Sequence, residues 1–147
     1  MNRMFLMVCL FIGVTIMQGC STEPAPIVFG TDVCSFCKMT LVDQKFGAEL
    51  VTTKGKVYKF DDANCFMNFY HADYESPEQY AHVLVVDYAA PGKLIPAREA
   101  YYVKSSEIRS PMDGQVAGFA DKGVMEKFKK EWKGIYLSWG EFVTEYK

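Results

Sequence analysis

Twice along this chain, a pair of short β-prone segments leads into an aspartate that opens an amphipathic helix, and each helix is followed by another β-prone stretch. In the first half, Phe46–Thr53 and Val57–Phe60 are separated by Lys54-Gly55-Lys56, which suits a hairpin turn with the glycine at positive φ. Asp61 or Asp62 then caps a helix to about Ala72, with Cys65, Phe66, Phe69 and Tyr70 recurring on one face, and His82–Tyr88 is the clearest strand. In the second half, Tyr101–Lys104 and Gln115–Phe119 read as strands, and Asp121 caps a helix to about Trp132 with Val124, Phe128 and Trp132 on one face. Ile135–Leu137 closes the unit, and Ser138 begins a short final helix carrying Trp139 and Phe142. This order predicts an α+β fold of two small ββαβ units, about 31–90 and 98–147, packed together within residues 31–147. With half of its 147 residues hydrophobic and 15% aromatic, the chain can bury such a core.

The N-terminus belongs to targeting rather than to the fold. Arg3 precedes an apolar run from Met4 to Met17, too short to span a bilayer but suited to a signal peptide over residues 1–19. Gly19-Cys20 at its end resembles the lipobox of a bacterial lipoprotein, which makes Cys20 the lipidated first residue of the mature chain. Residues 20–30, with two prolines and no amphipathic period, read as a lipidated tether. The expected location is the bacterial cell envelope, anchored to a membrane, with the outer membrane facing the periplasm as the reading adopted.

Cysteine usage then becomes specific. Cys9 leaves with the signal peptide and Cys20 carries lipid, so Cys34, Cys37 and Cys65 remain as thiols in an oxidising compartment. The stretch Thr31–Thr40, TDVCSFCKMT, groups Cys34, Cys37 and Met39, all soft donors suited to Cu(I). The same pair also fits a disulfide or a thiol-disulfide oxidoreductase, and a zinc module is a third reading. A redox pair is expected to open a helix after a strand, whereas here a tail precedes it and a strand follows. Zinc lacks a second pair, and Cys65 is read as a packed core thiol. Met112 stands in the loop Ser110-Pro111-Met112-Asp113-Gly114, where the local pattern asks for no apolar residue. It either folds back onto the core or completes, with Cys37 and Met39, a trigonal sulfur site for Cu(I). Cys34, His71 and His82 are secondary candidates, each histidine having a structural explanation at a helix end or strand start.

Other classes are excluded by what is missing. The net charge is −2 with no basic stripe, which removes nucleic acid as a partner. There is no Gly-rich phosphate loop, Gly-x-Ser-x-Gly elbow or His-Glu-x-x-His helix, so the reading is a binding or delivery role rather than an enzyme. Together, the lipobox, Cys34-x-x-Cys37-x-Met39, the hairpin into Phe60-Asp61-Asp62, and Ser110-Pro111-Met112 resemble the NosL family of copper-binding lipoproteins, accessory to nitrous oxide reductase. The resemblance implies a two-unit ββαβ architecture and one Cu(I) held by Cys37, Met39 and Met112. It also implies passage of that ion to apo-nitrous oxide reductase or another periplasmic cuproenzyme, with an ABC-type membrane complex as partner. Lys38 departs from the glycine that the family places between cysteine and methionine.

Overall fold

In the computed structural model, which describes residues 21–72 and 76–146, each half of the chain builds an antiparallel sheet around its own first strand. Strand β1 (Ala48–Thr52) lies between β2 (Val57–Phe60) and β3 (Tyr80–Val86), and β4 (Leu94–Pro96) adds to β3. Strand β5 (Tyr101–Lys104) lies between β6 (Val116–Phe119) and β7 (Ile135–Leu137). The order β2-β1-β3 is therefore repeated as β6-β5-β7, and the two ββαβ units expected from the sequence are present. Register follows the apolar residues: Leu50 faces Tyr58 on one side and Val83 on the other, and Val103 faces Ala117 and Tyr136. The first hairpin closes through Thr52 and Lys56, with Gly55 at φ +81°.

Helix α1 (Ala63–His71) starts where the Asp62 carboxylate accepts the N–H groups of Asn64 and Cys65, and it buries Cys65, Phe66, Met67 and Phe69. Helix α2 (Lys122–Glu131) is capped by Asp121. Helix α3 (Trp139–Glu145) begins with a capping box of Ser138 and Glu141. On α2 the fully buried residue is Met125, with Val124, Phe128 and Trp132 packed half-buried beside it.

The main core runs through both units. Leu50, Phe60 and Phe66 from the first pack with Tyr102, Val116, Leu137 and Phe142 from the second, and the Tyr102 and Phe142 rings lie 4.5 Å apart. A second core under α2 joins Phe46 to Val103, Phe119 and Met125. Between the sheets, Asp87 bridges Gly118 and the Tyr88 N–H donates to the Gly118 carbonyl. The approach is close there: a Cβ on Gly118 would stand 3.2 Å from Val85 Cγ2.

Three expectations need correction. Strand β3 begins at Tyr80 and ends at Val86, two residues earlier than read, because the Asp87–Ala90 turn takes its end. Strand β4 went unread: Leu-Ile-Pro is too short for a period, and its proline sits at the sheet edge, where no N–H is needed. The proposed tether is also shorter than 20–30. Ala25 N–H donates to Glu49 Oε1, Lys59 Nζ donates to the Pro26 carbonyl, and Ile27 is buried. The segment read as a signal peptide, including Cys9, and the lipidation candidate Cys20 lie outside the described residues.

Candidate metal centre

Downstream of Ile27 the chain folds into a narrow loop laid against β2. Val33 bridges Thr40, Leu41 N–H donates to the Asp32 carbonyl, Cys34 N–H to the Met39 carbonyl, and Lys38 N–H to the Cys34 carbonyl. Alternation along this short ladder sends Cys34 and Leu41 inward and Val33 and Val42 outward. Ser35 pins the loop twice, its N–H donating to the Lys59 carbonyl and its Oγ accepting the Lys59 N–H. Lys59 Nζ then reaches Asp32 Oδ2 at 2.6 Å. Lys38 takes φ +66°, the left-handed conformation that glycine adopts without cost, at the position where the family resemblance expects glycine.

This loop brings two thiols against the first turn of α1. The Sγ atoms of Cys34, Cys37 and Cys65 all lie within 4.8 Å of one another, and all three cysteines are free. Cys34 and Cys65 are sealed, at 0% and 2% exposure, while Cys37 is half-buried. The reading of Cys65 as only a packed core thiol is therefore corrected. It is packed, but its sulfur faces the other two. Helical periodicity assigned its face and could not say what lies opposite; a cysteine in the first turn after a strand was the available signal.

The three thiols differ in acidity. The Cys34 Sγ accepts a hydrogen bond from the Cys65 thiol and from the backbone N–H groups of Cys37, Phe36 and Asp61, which together outweigh its burial and lower its pKa to about 5. Cys65 is pushed well above the ordinary thiol range, first by donating to Cys34 and then by burial. Burial raises Cys37 as well, although the Met39 N–H donates to its sulfur. Beside them, the buried Asp61 carboxyl is raised to about 6, by burial first and the Cys34 charge second, and its Oδ1 has no hydrogen-bond partner among the described residues. Three polarizable sulfurs thus converge, with Cys34 the most acidic of them. Among the described residues no histidine or carboxylate joins them as a fourth close donor, which gives a trigonal rather than a tetrahedral set.

The other sequence candidates are dispersed around this trio. Met39 follows Cys37 at the surface and is 56% exposed. Met112 is half-buried against the main core, as is Cys37. Its loop is fastened to the start of α1: Asp62 Oδ2 accepts from Ser110 Oγ at 2.7 Å, Met112 N–H at 3.1 Å and Gly114 N–H at 2.9 Å, and Asn64 Nδ2 donates to the Met112 carbonyl. The fold thus brings the Ser-Pro-Met loop to the helix end that carries Cys65. His71 stands apart, with Nε2 2.9 Å from the Val143 carbonyl, and His82 lies on β3 opposite Val51; neither belongs to the close group. Cys34, a secondary candidate from the sequence, is the most enclosed member of the trio.

No curated protein matches this sequence. A solved structure described as the copper chaperone NosL from Shewanella denitrificans is similar to it, with 25% sequence identity, 82% of this chain and 96% of that chain covered, and a TM-score of 0.68. The family model named NosL matches residues 27–146, from the buried Ile27 to the end of α3, with both ββαβ units inside it. The chain therefore belongs to the NosL family.

Proposed function

We propose that this protein is a lipid-anchored periplasmic carrier of Cu(I), which it delivers for maturation of nitrous oxide reductase or another cuproenzyme through an ABC-type membrane complex. The observation that carries the cargo is the convergence of three free thiols within 4.8 Å, two sealed and one reaching the surface. Thiolate and thioether donors select Cu(I), and a trigonal set suits it while leaving zinc short of a ligand. Similarity to a described copper chaperone supports the same cargo. The acceptor rests on the family resemblance. Cys37 is the entry ligand in this reading, with Met39 beside it and Met112 as the thioether contributed by the second unit. The oxidoreductase alternative is disfavoured by the setting of Cys34 and Cys37, which lie in a loop ahead of β1 rather than at the opening of a helix after a strand.

Anaerobic titration of the reduced protein with Cu(I) against a chromogenic chelator tests the cargo. A tight complex with one ion per chain is expected; weak binding together with disulfide reductase activity would replace this reading by the redox one. Anchoring is tested separately by Cys20→Ala, which should leave an uncleaved or mislocalised precursor. Processing and membrane distribution like the parent would remove the lipoprotein reading.

A further inference from the structure

Exposure falls steeply across four sulfurs that lie close in the chain or the fold. Met39 is 56% exposed, Cys37 is half-buried, and Cys34 and Cys65 are 0% and 2% exposed. Cys37 is two residues from Met39 in the chain, and its sulfur is grouped with those of Cys34 and Cys65. An ion among the three thiols would sit behind the Cys37 side chain, with the loop over it and the first turn of α1 beneath. A partner's ligand can displace such an ion only by approaching it, and Cys34 and Cys65 offer no approach. Met39 and Cys37 do.

We infer that the cargo ion has two positions on this chain sharing Cys37: an inner one among Cys34, Cys37 and Cys65, where it is kept, and an outer one at Cys37 and Met39, from which it leaves. This rests on the Cu(I) reading above. Entry into the inner position exchanges the ion for the protons of the thiols it binds, which pass to solvent, and the ion keeps its oxidation state throughout. Movement outward breaks the bonds to Cys34 and Cys65, whose sulfurs recover from solvent the protons they gave up on entry, and forms the bond to the Met39 thioether. The thioether is neutral and a weak donor, so the outer position is the less stable of the two and serves transfer rather than retention.

The split between retention and release gives the test. Full-length lipidated protein in detergent micelles, reduced and loaded anaerobically with one equivalent of Cu(I), is challenged with bicinchoninate, reading both the equilibrium distribution and the rate of removal. Met39→Ala should weaken retention by less than about threefold yet slow removal by about fivefold or more, because the exit is lost and not the store. Cys65→Ala should weaken retention by roughly tenfold or more and speed removal. Because Cys65 also packs in the core, alkylation of the unsubstituted chain provides an independent measurement, with Cys65 expected to be protected by Cu(I). If Met39→Ala speeds removal and weakens binding as much as Cys65→Ala does, a single site containing both residues replaces the two positions. Cys65 alkylated equally with and without Cu(I) would remove the inner position. A parent chain that surrenders Cu(I) at once to the chelator would instead overturn the carrier reading itself.

Discussion

Asp62 shows how much one carboxylate can organise. Oδ1 accepts the N–H groups of Asn64 and Cys65, and Oδ2 accepts Ser110 Oγ and the N–H groups of Met112 and Gly114. Removing a buried charged acceptor leaves those donors unpaired, so Asp62→Ala should cost about 3–5 kcal/mol in urea unfolding and free the 110–114 loop. Lys38 tests the opposite direction: Lys38→Gly should stabilise by about 0.5–1 kcal/mol, because the φ of +66° no longer strains a side chain. Glu49, fully buried on β1, has its pKa raised first by burial, against the lowering hydrogen bond from Ala25 N–H. A raised native pKa stabilises below the unfolded value, and that contribution is lost as pH rises through the native one. Glu49→Gln should therefore match the parent near pH 4 and exceed its urea midpoint at pH 8. The helix-capping role of Asp62 could be read from Phe60-Asp61-Asp62. Its second oxygen, reaching residues about fifty positions away, leaves no trace in a local pattern.

The pairing of α1 with the Ser-Pro-Met loop depends on an absence of side chain. A Cβ on Gly114 would lie 2.8 Å from both Asn64 N and Asp62 Oδ2. Gly114→Ala should accordingly destabilise by about 1–3 kcal/mol in thermal or urea unfolding and lift the Met112 loop from the helix start. Most elements were legible because each carries its own signal: the turn at Gly55, the caps at Asp62, Asp121 and Ser138, and strands such as Tyr101–Lys104 with alternating or buried apolar residues. The sulfur cluster was only half legible. Cys34 and Cys37 announce themselves by spacing, whereas Cys65 is hidden in an apolar helix face, and its place beside Cys34 depends on how β2 leads into α1 against the loop. Loop methionines are similarly opaque, since the same residue can fill a core gap or offer a sulfur, and Met112 is seen packed against the core.

At the scale of the whole molecule, the two units share a strand order and one core, and they meet again at Asp87 and Gly118. That union lets a loop of the second unit brace the helix that supplies a sulfur in the first. The fastening of Ala25, Pro26 and Ile27 to β1 and β2 sets a further limit. If Cys20 carries lipid, only five residue steps separate it from Ala25, a reach of no more than about 18 Å. A leash that short would keep the thiol loop within a thin layer above the bilayer, and a membrane-bound partner would be met by lateral drift in the membrane plane. The encounter rate would then be governed by surface density and lipid viscosity rather than by the volume of the surrounding compartment. Lengthening the leash with Gly-Ser residues before Pro24 should alter transfer in intact membranes while leaving detergent-solubilised transfer unchanged.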